Sequence, residues 1–215
     1  MTAAGNTLRN AYRLQTLEAA LHVQQIPEVI TILRAAGIEP ILAKGWALAS
    51  LYPDPTLRPY GDIDLCVPPS QYELARRVVQ DHVASEVVVD LHSGLPDLDD
   101  RSLDALYARS RVIRLGPAEV RVLGYEDHLR FLCLHFVRHG ARRPLWLCDI
   151  ALLLESRRGA FDWAYCLSGD RRRSLAVGCV VGLGAALLDA KLDMPCFLEA
   201  RCPLPAWLVP AVVSQ

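Results

Sequence analysis

Asp62 and Asp64 stand two residues apart in the apolar run Gly61-Asp-Ile-Asp-Leu65, and a third acid, Asp90, lies in a second run, Val87-Val-Val-Asp-Leu-His92. In a strand, residues i and i+2 point to the same face, so the spacing predicts Asp62 and Asp64 on one side with Ile63 and Leu65 on the other. Two carboxylates so placed repel each other unless something positive lies between them. Pairing of the two runs would bring Asp90 beside the first two acids. Three converging carboxylates suit Mg²⁺, as one ion or two, with a nucleotide's phosphates completing the shell. The chemistry such a site serves is nucleotidyl transfer: an acceptor hydroxyl attacks the α-phosphate of an NTP, ATP being the expected donor, and pyrophosphate leaves.

Other residues nearby have types that fit this chemistry. Lys44 and Arg58 are the nearest cations in sequence and could meet phosphate oxygens, Arg58 through its bidentate fork. Gly45 would let backbone amides approach a phosphate. Trp46 could stack on a base, and His92, on the predicted face of Asp90, could orient that acid or touch the acceptor. Each also has a structural reading. Lys44 would pair with an acid, Arg58 would brace its proline-rich loop, Trp46 would fill the core, and His92 would make a hydrogen bond.

The elements that must hold these residues follow from periodicity and punctuation. Leu8–Val23 has helical spacing, and Pro27 is placed to open a second helix ending at Gly37. Strands are predicted over 38–43, 62–67 and 86–92, and Arg111–Leu115 with Glu119–Leu123 flank Gly116-Pro117 as a hairpin. Between them, Trp46–Tyr52 reads as a short helix, and Ser70 with Glu73 forms a capping box for a helix to about Val83. After Gly124 the pattern turns helical: 126–139, 146–154, 163–167 and 175–192. The expected architecture is mixed α+β, with N-terminal helices over 1–37, a small mixed sheet with flanking helices over 38–123, and a helical lobe over 124–215 leaving a cleft beside the sheet.

Composition narrows the partners. An apolar fraction of 52% excludes a mostly disordered chain. With 23 Lys plus Arg against 24 Asp plus Glu there is no general field for gathering DNA or RNA, so nucleic acid is not an expected partner. Seven cysteines without a Cys-x-x-Cys pair read as small buried hydrophobes in a reducing compartment. The N-terminus lacks a signal-peptide pattern and no apolar stretch suffices for a membrane span, so a cytoplasmic location is expected. His135 and His139 share a helical face with Cys133 and His128 close by, yet without His-Glu-x-x-His they read as hydrogen-bonding or cleft-lining groups rather than a zinc site. The small-residue stretch Leu175–Leu188 reads as core packing, with homodimer formation as its second use.

Several further segments carry a resemblance. Leu42-Ala-Lys-Gly-Trp-Ala-Leu48, Leu51-Tyr-Pro-Asp-Pro55, Leu57-Arg-Pro59, Gly61-Asp-Ile-Asp-Leu65 and Val89-Asp-Leu-His92 resemble the uncharacterised bacterial nucleotidyltransferase family often found near natural-product and polysaccharide genes. Leu123-Gly-Tyr-Glu-Asp127, Leu134-His135, His139-Gly140, Trp146-Leu-Cys-Asp149 and Phe161-Asp-Trp163 extend that resemblance over roughly residues 25 to 195. The family is similar in its core to DNA polymerase β-like nucleotidyltransferases. The resemblance implies that fold, with Asp62, Asp64 and Asp90 as the metal triad. Gly45-Trp46 replaces the Gly-Ser or Gly-Gly usual in the wider superfamily, which leaves Lys44 to serve the phosphate, and the short segment before Asp90 implies an altered acceptor pocket. A kinase using the same triphosphate cradle and an inactive nucleotide-binding or accessory protein are the alternative readings.

Overall fold

The change of periodicity near Gly124 is also where the molecule divides. The computed structural model describes residues 3–156, 159–190 and 204–214. It forms two compact units, one of Met1–Leu95 with Leu103–Leu123, the other of Pro96–Ser102 with Gly124–Gln215.

In the first unit, strands β1 (Ile41–Leu42), β2 (Ile63–Val67), β3 (Val89–Ser93), β4 (Arg111–Leu115) and β5 (Ala118–Val122) form a mixed sheet of order β3-β2-β1-β5-β4. β2 and β3 run parallel, as do β1 and β5; β1–β2 and β4–β5 are antiparallel. Alternation decides which face is dry. Ile63, Leu65 and Val67 enter the hydrophobic core, with Val89 and Leu91 packed against it, so Asp64, Cys66, Asp90 and His92 take the other face. The two-residue β1 is shorter than the predicted 38–43 because Pro40 lacks an amide donor on one side and the Lys44-Gly45 turn follows on the other.

The N-terminal segment departs from expectation, since one helix, α1 (Ala3–Ala35), replaces the two predicted and Pro27 lies inside it. Proline in a helix interior costs about 3 kcal/mol. The helix nevertheless continues, because Ile26, Val29, Ile30 and Leu33 form one stripe that is at most 1% exposed, and each such side chain contributes roughly 1.5–3 kcal/mol on burial. Gly37 ends it: at φ +77° its N–H donates to Arg34 O, while Ile38 N–H donates to Leu33 O, a Schellman closure.

Helix α2 (Trp46–Ala49) follows the Gly45 turn, and α3 (Tyr72–His82) shares the core side of the sheet with α1. Ser70 does not cap α3. It lies in a 3₁₀ turn over Pro69–Gln71, where Gln71 N–H donates to Pro68 O, and the residue flanking α3 makes no side-chain cap. Helix α4 (Leu103–Arg109) lay outside the sequence reading, although Leu103, Leu106 and Tyr107 have helical spacing.

The second unit contains α5 (Tyr125–Arg138), α6 (Pro144–Ser156), α7 (Trp163–Cys166), α8 (Arg171–Leu188) and α9 (Leu208–Val213), with α5, α6 and α8 packed on one another. Asp162 and Asp170 cap α7 and α8 by accepting from the Tyr165 and Arg173 amides. The Asp170 cap explains why α8 starts before the expected Leu175. It ends at Leu188, where Asp189 takes a left-handed φ of 53°, and the rest of the expected span, Lys191 and Leu192, lies outside the described residues. The rings of His135, His139 and Trp146 pack together, with His135 4.4 and 4.6 Å from the other two centroids. Cys66, Cys133, Cys148 and Cys166 are free thiols; Cys196 and Cys202 lie outside the described residues.

The Pro96–Ser102 segment belongs to this unit because arginines hold it there. Arg130 is fully buried and donates to Asp100 Oδ2 at 2.6 Å and to Cys166 O at 2.9 Å, while Arg101 donates to Tyr165 O at 2.7 Å. Removing one partner of a buried charge leaves the other uncompensated. Asp100→Ala is therefore expected to destabilise the protein by roughly 3 kcal/mol, checked by urea unfolding of wild type and variant; an unchanged midpoint would refute the role given to this pair.

Candidate active site

Parallel pairing of β2 with β3 places Asp64 directly opposite Asp90 and Cys66 opposite His92. Donor atoms of Asp64, Asp90 and His92 all lie within 4.8 Å of one another. Asp64 sits at the floor, 2% exposed, whereas the Asp90 side chain is 47% exposed. His92 Nε2 lies 3.3 Å from Asp64 Oδ1 and 3.1 Å from Asp90 Oδ2. Lys44, projecting from the end of β1, brings Nζ to 2.5 Å from Asp64 Oδ1.

These neighbours set the charge states. Burial pushes the Asp64 carboxyl up, but the His92 hydrogen bond and the adjacent Lys44 ammonium more than offset it and hold the group below its usual range. Asp62 goes the other way: partial burial raises it, the Asp64 and Asp90 charges raise it further, and Lys44 opposes them. The two acids are thus shifted in opposite directions, Asp64 toward its ionised form and Asp62 away from it. Two carboxylate oxygens and an imidazole nitrogen, with Asp62 in their field, are donors suited by type and spacing to a divalent cation. Cys66, the next position on this face of β2, is no alternative nucleophile, since burial pushes its thiol up to about 12.

Not every expected site residue arrives. Asp62 lies in the bend before Ile63 rather than in the strand, so the alternation that places Asp64 does not extend to it, and it is outside the cluster of three donors. Trp46 is 8% exposed in the core that contains Ile63 and Leu65, on the opposite face from the carboxylates, and presents no ring to a base. Arg58 is 6% exposed and donates to Pro59 O at 3.3 Å, which favours its role as a brace for its own loop. Lys44 and Gly45 are both placed beside the acids, Lys44 through its ammonium and Gly45 through its turn.

Sequence reasoning overlooked Tyr60. Its ring packs against Gly45 and, tilted by 31°, against His22 at a centroid distance of 4.6 Å, and burial pushes its hydroxyl up to about 12. Its only signal was its place just before Gly61-Asp62. Gly45 itself has φ +54° and ψ −119°, and a Cβ there would lie 3.3 Å from both Asp62 O and the Tyr60 ring. Replacement by any L-residue must strain the backbone and crowd the Asp62 carbonyl. Gly45→Ala is expected to cost about 1–3 kcal/mol in thermal or denaturant unfolding, whereas Gly61→Ala, where a Cβ meets nothing within 4 Å, should cost less; equal effects would contradict this account of the turn.

Comparisons with known proteins bear on the fold and the family. The structure is similar to the crystal structure of an antigenic nucleotidyltransferase-like protein from Paracoccidioides brasiliensis, with a TM-score of 0.56 and 16% identity over 84% of this chain and 94% of that one. At that identity the likeness establishes the fold, which is nucleotidyltransferase-like. Among curated proteins no match is found. The family model described as uncharacterised nucleotidyltransferase matches residues 2–82 and 77–192, nearly the whole chain and the entire Asp64–Asp90–His92 constellation, and the protein belongs to that family.

Proposed function

We propose that the protein moves a nucleoside monophosphate from an NTP, ATP being the first candidate, to a hydroxyl of a small molecule or protein side chain. The observation that carries this reading is the juxtaposition of a buried and a half-exposed carboxylate on adjacent parallel strands, with an ammonium 2.5 Å from the buried one. Simple retention of a nucleotide calls for positive charge. A pair of opposed acids is costly for that purpose and useful for transfer.

A divalent cation such as Mg²⁺, held by Asp64 and Asp90 with Asp62 beside them, would neutralise triphosphate charge and make the acceptor hydroxyl more acidic. Asp64, kept ionised by His92 and Lys44, serves only as an acceptor of positive charge. Asp90, the solvent-facing member, accepts the proton of the acceptor hydroxyl as its oxygen bonds to the α-phosphorus. The bond from the α-phosphorus to the bridging oxygen breaks in line, and pyrophosphate leaves. Lys44, now paired with Asp64, would turn toward the phosphates, and the bare backbone at Gly45 would let that turn approach them.

Near-balanced charge supports an acceptor other than nucleic acid. Among the described residues no helix is long and apolar enough to cross a membrane. The buried free thiols Cys66, Cys133 and Cys166 support a reducing compartment such as the cytoplasm.

The test is incubation of purified protein with Mg²⁺, each of the four NTPs and a producing-cell extract, followed by pyrophosphate and phosphate assays and mass analysis of extract and protein. Pyrophosphate with a nucleotidyl mass gain is expected. Asp64→Asn should lower it by roughly a thousandfold, the equivalent of several kcal/mol of lost charge stabilisation, while far-UV circular dichroism stays unchanged. Equal transfer by Asp64→Asn would sink the proposed role, and phosphate with a phosphoryl mass gain would reassign the protein as a kinase.

A further inference from the structure

His92 occupies an unusual position between the two acids. Its Nε2 is nearly equidistant from Asp64 Oδ1 and Asp90 Oδ2, at 3.3 and 3.1 Å. A neutral imidazole has at Nε2 either one N–H or one lone pair. A single hydrogen cannot point well at two oxygens, and a lone pair would face two negative groups. A hydrogen bond from Nε2 therefore reaches both acids only as a bent, three-centre contact, to an Asp64 oxygen that Lys44 also approaches.

A shared ion explains both. Adjacent ligands of an octahedral ion with bonds of about 2.1 Å are separated by √2 times that length, about 3 Å. The two Nε2–oxygen separations match that edge within a few tenths of an ångström, and all three donor atoms stay within 4.8 Å of one another. The arrangement is also built in by the chain. Asp90 and His92 are i and i+2 on β3, so they share a face, and the parallel register sets Asp64 beside them. The solvent side stays open, with 30% of the His92 side chain and 47% of the Asp90 side chain exposed, which leaves room for water and phosphate oxygens as the remaining ligands.

We propose that His92 is itself a ligand of the bound cation and that its imidazole turns this site toward first-row transition ions, Mn²⁺ being favoured over Mg²⁺. The inference rests on the reading of the site given under the proposed function. Mg²⁺ prefers oxygen and near-ideal octahedral geometry, whereas imidazole nitrogen raises affinity along the series from Mn²⁺ upward. A wholly carboxylate site would lack that bias. His92 is thus a specificity-determining residue, and Asp62, outside the donor cluster, supplies charge from alongside.

The test uses the full chain loaded with Mn²⁺ and no nucleotide. Pulsed electron paramagnetic resonance is expected to show ¹⁴N coupling to the bound ion, replaced by ¹⁵N coupling when the wild-type protein carries [¹⁵N]histidine. That labelling does not depend on a variant folding. His92→Gln should lose the coupling while still binding Mn²⁺, and the ratio of Mn²⁺ to Mg²⁺ affinity, measured by competition, should fall by at least ~10-fold. Mn²⁺ that binds in an Asp64-dependent way without nitrogen coupling would overturn the inference and leave the proposed function standing, with His92 as a hydrogen-bonding partner. Absence of Mn²⁺ binding, or binding unaffected by Asp64→Asn, would overturn the inference, while the proposed function stands or falls separately on nucleotidyl transfer to the acceptor.

Discussion

Parallel strands β2 and β3 set Asp64 opposite Asp90, and like charges so close are the constraint the first unit is organised around. At an effective dielectric near 20, two unit charges ~5 Å apart repel by about 3 kcal/mol. That is a large fraction of a domain's net stability. The chain offsets it with Lys44 from a third strand end and His92 from the strand of Asp90 itself. Burial and, after it, the residual negative field raise the Asp62 carboxyl. Such a site is preorganised for positive charge, and substrate that arrives with a divalent cation relieves a repulsion already present.

The remainder of the unit makes that arrangement possible. A strand can expose acids on one face only if its other face is anchored, and the alternation of Ile63, Leu65 and Val67 against the stripe of α1 provides the anchor. The same anchor explains why α1 runs through Pro27: breaking it there would separate residues that pack into one core. The Gly45 turn then sets the Lys44 backbone next to the bend that holds Asp62, at an approach too close for a larger residue. Fold and site are therefore coupled through the sheet, with the apolar face supporting what the polar face does.

Much of this was legible in the order of residues. The Asp-x-Asp pair in an apolar run, the Val-Val-Val-Asp-Leu-His run and the hairpin around Gly116 each state their local structure, because periodicity and turn chemistry act over a few residues. Register is different in kind. Nothing within Ile63–Val67 or Val89–Ser93 says which residue lies opposite which, and only the pairing reveals that His92 stands between two acids while Asp62 stands aside. Trp46 shows the same limit, since an aromatic residue after Lys-Gly can face either the site or the core, and the packing of α2 decides for the core. Pro27 misled for a related reason: a local breaking signal yielded to long-range burial. Leu103, Leu106 and Tyr107, by contrast, had the spacing of α4 in plain view.

The central claim is that the two opposed acids are a cation-dependent seat for a triphosphate. Isothermal titration of a non-hydrolysable NTP analogue, with and without divalent cation, addresses it most directly in wild type and Asp64→Asn. The account predicts that the wild-type protein binds the analogue only when the cation is present and that the variant loses this binding. Equal affinity without the cation, or in the variant, would contradict it.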